Sequence, residues 1–360
     1  MLSASDQRTE SSRTSSSADV TVPGRRAFFA ATLATLASAL TGCGASPTTV
    51  TKTAETPEPP LAVPSLDSLL PLAGLRWLVL VNPREITSIP WLVPFVGTVI
   101  SEARFDRFAS GTAVDLRRTP EAVVASYATN EGDATVELLR HTGDARAVER
   151  AFRDRLSTEA TRAADRHDLV RVSGKIGRAT HAFAAIGPDV VCFQQAGSIQ
   201  RGPCRIASLF ARGALSRAAR AFSDPSLRAL AERLGPAPAR AFALGPFEGE
   251  LARGARGLLA AATAIGAAAR PSAREGILLS IAVAGDFSRT GEAASEELAA
   301  SWRDLAEGSF GHLLGLDVPV TAPLPTHAPD AVAIAVELDP KKLAKGLADV
   351  TSNEIDQIMR

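Results

Sequence analysis

The chain reads as an α+β protein in which antiparallel hairpins and packed helices come in blocks. Three observations predict this. Strand-like runs rich in Val, Thr and aromatic residues are joined by short turns, among them Asn130-Glu131-Gly132-Asp133 and Gly187-Pro188. Helical segments open on Asp, at Asp144, Asp224-Pro225 and Asp339-Pro340, and stop at Gly-Pro or Gly, as at Gly235-Pro236. Strands and helices do not alternate strictly, which disfavours a doubly wound parallel sheet. With 360 residues, 46% of them apolar, the chain can bury a sizeable core, and global disorder is excluded.

Taken in order, folded sequence begins near Leu66. Leu75 to Val81 is a short apolar run ended by Asn82-Pro83, the pattern of a strand buried on both faces. Pro90 to Phe108 predicts one helix. Strands are predicted at Glu121–Thr129 and Ala134–His141, then a helix over Ala145–Thr158. Three strands follow at Leu169–Ser173, Arg178–Ile186 and Asp189–Gln195, and a helix over Ile206–Phe222 closes the first half. The second half reads as more helical. It has a helix after Asp224, a short strand at Arg240–Leu244 and an Ala-rich core helix over Gly249–Arg270. A strand at Gly276–Phe287, a helix from Thr290 to Glu307, a strand at Pro329–Leu338 and a helix to Asp349 complete it.

Two segments look alike: Asp133 to Leu138 leading to Asp144, and Asp330 to Leu338 leading to Asp339. A duplicated α+β unit with halves 66–222 and 223–350, and a tail over 351–360, would produce this. Two ordinary strand–helix joints would as well.

The N-terminus carries the sharpest signal. Residues 1–24 are polar and Ser-rich. Arg25-Arg26 are followed by an uncharged run, Ala27 to Thr41, of 15 residues. A bilayer-spanning helix needs about 20, so residues 1–42 read as a cleavable signal peptide. Leu40-Thr41-Gly42-Cys43 resembles the lipobox of bacterial lipoproteins. That resemblance implies acylation of the Cys43 thiol and cleavage before it. Arg25, Arg26 and Phe28, with a weakly apolar run behind them, resemble a twin-arginine export signal. Gly24 and Ala30 depart from that pattern and leave the general secretory route open. Residues 43–65, with Pro47, Pro57, Pro59, Pro60 and Pro64, read as the lipidated Cys and an extended tether. Gly44 after the Cys implies, by analogy with enteric lipoprotein sorting, the outer membrane facing the periplasm.

Charge excludes one class of partner. The 39 basic residues balance 39 acidic ones, so no electrostatic nucleic-acid binder is indicated. Only five of the basic residues are Lys. Such an excess of Arg is what codon bias writes, so Arg-rich stretches are not read as phosphate sites.

No catalytic, metal or cofactor motif is present. Gly308-Ser309-Phe310-Gly311 has the wrong spacing for a nucleophile elbow, and no pair of His stands at ligand spacing. His181 reads as a packing residue, and His327 as a loop residue among prolines. Asp165-Arg166-His167-Asp168 reads as a solvated turn. Cys192 and Cys204, about 13 residues of loop apart, read as a disulfide pair in an oxidising compartment. Trp91 to Ile100 is apolar all round, where a surface helix should carry one polar face. Trp91, Phe95, Val96 and Val99 are therefore either core or an open apolar surface. The chain thus reads as a membrane-anchored envelope lipoprotein serving as a non-enzymatic binding or scaffold module. A carrier of a lipid or other apolar ligand, and a periplasm-facing enzyme with a dispersed site, are the alternatives.

Overall fold

A computed structural model describes residues 61–130, 132–164, 170–196 and 202–358. The export signal, Cys43, the tether up to residue 60 and the cluster Asp165-Arg166-His167-Asp168 lie outside these residues. After a short 3-10 turn, Leu66–Leu69, come β1 (Leu75–Val81), α1 (Pro83–Ser88), α2 (Val93–Val99) and α3 (Glu102–Thr112). A hairpin follows, β2 (Glu121–Thr129) and β3 (Gly132–Arg140), then α4 (Ala145–Asp154), β4 (Thr161–Ala164) and β5 (Val170–Ile176). Next are β6 (Ala179–Ile186), β7 (Val190–Gln195), α5 (Pro203–Ala211), α6 (Pro225–Leu234), β8 (Ala239–Leu244) and α7 (Gly249–Arg253). The chain continues with β9 (Ala262–Pro271), β10 (Ile277–Gly285), α8 (Gly291–Glu307), α9 (Ser309–Leu314), β11 (Leu324–Ala328), β12 (Ala331–Leu338) and α10 (Pro340–Ile358).

The twelve strands of the described residues form one antiparallel sheet, ordered β11-β12-β10-β9-β8-β1-β2-β3-β7-β6-β5-β4. The α+β class with antiparallel strands is therefore the observed one. The order repeats about its middle. Outward from the β1–β8 pair, one wing runs β1, β2, β3, β7, β6 and the other β8, β9, β10, β12, β11. In each wing a helix, α4 or α8, follows the third strand, and the outer hairpin folds back to pair with that strand. The matching partner of β3 is thus β10, not β12 as the look-alike segments suggested. The wings also differ: β4 and β5 extend only the first.

Local chemistry accounts for the elements. Along β1 the residues Leu78 and Leu80 point to one face and Val79 and Val81 to the other, which explains the unbroken apolar run. The Asp224 carboxylate accepts from the Ser226 and Leu227 amides at 2.9 and 3.1 Å, a cap of about 1 kcal/mol, and Pro225 presets the first turn. Gly235 ends α6 at φ 68°, where an L side chain would be strained. One face of the sheet is sealed by α5, α6 and the 66–69 turn over Leu78, Val123, Leu138, Ile186 and Phe242. The other face holds two separate clusters. In one, Phe108 of α3 and Val148 and Phe152 of α4 pack on Val172, Phe183 and Val191. In the other, Leu298 and Trp302 of α8 and Leu314 of α9 pack on Val283, Ile334 and Val336.

Two predicted helices fail. Gly249–Arg270 is a five-residue helix, a 3-10 turn and then strand β9. Alanine's helix preference is worth only ~0.7 kcal/mol or less per residue against ordinary residues. β9 is paired by β8 over Ala264–Ala269 on one edge and by β10 along its length on the other, which satisfies most of its backbone. The small residues answer to packing: a Cβ on Gly266 would come within 2.8 Å of Leu234 in α6. Pro90–Phe108 is broken at Ile100-Ser101. Ser101 is extended, at ψ 154°, and separates α2 from α3. The helix expected over Ile206–Phe222 instead starts at Pro203 and stops at Ala211. His327, expected in a loop, lies on edge strand β11.

An apolar cleft between α2 and α10

The strand ends of one side of the sheet build the site. Val81 stands opposite Ala122 and Ala239, Ala239 opposite Ala269, and Pro271 opposite Ile277. Of these, Ala239, Ala269, Pro271 and Ile277 form the floor of a cavity of about 260 Å³. One wall is α2, through Phe95, Val96 and Val99, with Leu92 and Ile100 at its ends and Ile86 of α1 beside it. The facing wall is α10, through Pro340, Leu343, Ala344 and Leu347. Arg270 is the single charged residue on the lining, and its guanidinium turns away to donate to the Leu234 carbonyl.

Of the apolar residues singled out in the sequence, Phe95, Val96 and Val99 meet in this lining, while Trp91 does not; all four are half-buried. The volume exceeds the roughly 150 Å³ apolar cavity that accepts benzene. Sequence reasoning missed the second wall. No local signal could have found it, because α10 lies some 250 residues away in the chain.

Beyond the floor, on the sheet's opposite face, lies a wider polar recess of about 980 Å³. The two cavities share Pro238, Arg270 and Pro271. Arg228, Arg240 and Arg270 line the recess, as do Asp67, Glu85, Glu121 and Glu232. Glu121 accepts from the Leu66 amide at 2.7 Å and from Arg140 at 3.3 Å, and Glu85 accepts from Asn82. The Nε atoms of Arg240 and Arg270 and Oδ1 of Asp67 are buried with no protein partner. Each such atom costs ~1–3 kcal/mol, so the recess is polar but unsaturated.

Other expected residues are placed as follows. Cys192 and Cys204 are both buried and free, so the disulfide predicted from their spacing is not formed in this structure. They are nevertheless neighbours: the Cys204 thiol donates to the Cys192 carbonyl at 3.5 Å. Burial, and then the adjoining Cys204 thiol, push the Cys192 thiol well above its ordinary value. His181 stands beside Phe183 on β6, and burial, with the nearby Arg155 charge, lowers its pKa. Among the described residues no group of three or more His, Cys, Asp or Glu is arranged to hold a metal ion.

Glu137, on β3 opposite Phe193, carries the clearest pH signal. Burial holds its carboxyl above the ordinary value, and the Arg155 charge pulls it only partly back. The unfolded chain therefore loses this proton first. Stability is intact below the unfolded value of 4.5 and falls as pH rises through the folded one. Glu137→Gln cannot ionise. It is expected to raise the melting temperature at about pH 7 and to leave it unchanged near pH 4, as read by thermal unfolding at both.

No family model matches the chain, and no curated protein matches it in sequence. Among solved structures it is similar to crystal forms I and III of TP0453. Identity is 10% in both cases, over 80% of this chain and 98% and 99% of those chains, with TM-scores of 0.43 and 0.48. A likeness this faint says nothing about function.

Proposed function

We propose that the protein is a lipid-anchored cell-envelope protein that binds an apolar ligand in the cleft between α2 and α10. The single observation that carries the binding half is the lining itself: apolar on every side, with the aliphatic stem of Arg270 as the only contribution from a charged residue. The anchor rests on Leu40-Thr41-Gly42-Cys43 and the uncharged run before it. One structural feature supports joining the two. The Val63 and Pro64 carbonyls accept from Arg140, at the end of β3. Register carries that end across Glu121, Ala122 and Val81 to Ala239 on the cleft floor. The tether therefore enters at the same end of the sheet as the cleft.

The experiment uses the mature chain and the apolar dye N-phenyl-1-naphthylamine. Emission is expected to rise and shift to the blue on binding. Ala344→Trp, which fills the cleft, should weaken binding at least about tenfold, the scale of ~1.4 kcal/mol, without lowering the melting temperature. Undiminished binding by a folded Ala344→Trp protein, or no binding by the wild type, would overturn the proposal. In cells, Cys43→Ala should move the protein from the membrane fraction to the soluble one.

A further inference from the structure

We infer that the ligand is an anionic amphiphile, its chain in the α2–α10 cleft and its carboxylate or phosphate head in the adjoining recess at Arg240 and Arg270. This rests on the apolar-cleft reading and adds the chemical class. The two cavities lie on opposite faces but share the lining residues Pro238, Arg270 and Pro271 at the strand ends, where one molecule can pass from one to the other around the end of the sheet. Their chemistries divide as an amphiphile does: the cleft is apolar, and the recess is charged, with Arg228, Arg240 and Arg270 lining it beside Asp67, Glu85, Glu121 and Glu232.

Arg240 on β8 stands opposite Ala268 on β9, which puts Arg270 one diagonal step away on the same face. Two guanidinium groups at that spacing can clamp one oxyanion, each presenting a planar fork of donors. Arg228, one turn into α6, faces the same recess. Among the described residues none of the three pairs with a carboxylate, and Arg270 donates only to a neutral carbonyl. The carboxylates of Glu121 and Glu85 are engaged by Arg140 and Asn82. Asn82 is neutral and leaves the charge of Glu85 in place beside those of Asp67 and Glu232, so a singly charged head fits better than a multiply charged one.

The test displaces the bound dye with three twelve-carbon probes: laurate, dodecyl phosphate and the uncharged dodecanol. At least one anion is expected to displace it tenfold or more below the concentration that dodecanol needs. The better anion identifies a fatty acid or a phospholipid-like head. Arg240→Gln, which lies outside the cleft lining, should reduce that advantage and leave the dodecanol value unchanged. Should that variant not fold, Arg228→Gln, on an exposed helix position, should reduce the advantage by itself. Equal displacement by all three probes, or an advantage that survives in the folded variants, would overturn this inference and leave the cleft reading intact. If no probe displaces the dye, this inference falls, and the Ala344→Trp result alone decides the cleft reading.

Discussion

Phe183→Ala is expected to destabilise the protein by ~3–5 kcal/mol, a large share of the ~5–15 kcal/mol available to a typical domain. Phe183 is 1% exposed and is one corner of an aromatic triad in which each ring meets the other two. Its ring stacks on Phe152 at 5.4 Å and tilts against Phe193 at 5.5 Å. One partner comes from α4 and one from β7, so truncation opens a cavity between helix and sheet that neither can fill alone. Urea unfolding should show a lower midpoint with an unchanged slope, the sign of lost stability without a changed unfolded state. Phe310→Ala is the matched comparison. That ring is 51% exposed, and the change should stay within ~0.5 kcal/mol. Because the triad belongs to the wing away from α10, dye affinity of the surviving folded protein should not move.

Gly346→Ala is expected to destabilise as well, against the usual sign. Inside a helix, replacing Gly by Ala ordinarily gains ~1 kcal/mol. At Gly346 the new Cβ would stand 2.2 Å from the Leu313 carbonyl oxygen and 2.5 Å from the Leu314 Cα. These are backbone atoms of α9 and cannot swing aside. Helix α10 must shift, at a cost of ~1–3 kcal/mol, which exceeds the propensity gain. Leu343 and Leu347 flank this position and line the cleft, so the same shift should weaken dye binding. Gly97→Ala in α2 is the control. Nothing stands within 4 Å of its Cβ, and it should stabilise. A stabilised Gly346→Ala protein would show that α9 and α10 are not held as closely as the structure has them.

The elements that local chemistry over-determines were the legible ones. Both β1 and β2 have the bounds expected, because an apolar run between turn residues has few other fates. Asp144, Asp224 and Asp339 each begin a helix by accepting amides of its first turn. What was not legible answers to distant neighbours. The Ala run of β9 carries the sequence of a helix and the packing needs of a strand under α6. Edge strand β4, exposed throughout, shows no apolar alternation to read. Half the cleft, Phe95 to Val99, was visible as an anomaly in α2, but its opposite wall arises only when α10 crosses the sheet end. Arg240 and Arg270 were hidden by composition, two among 34 arginines.

The central β1–β8 pair sets the order of events during synthesis. Its register joins Trp77 to Ala243, so β1 waits for more than 160 residues of chain before its partner exists. Until then the first wing has an unprotected edge in what will be the middle of the sheet, the kind of edge that recruits other chains. Pairing at such separation is slow, because loop closure precedes any reward. If the first wing, which already holds the aromatic triad, forms before β8 is made, β1 is its exposed inner edge. Chaperone demand and aggregation during biogenesis should concentrate there and end when β8 docks.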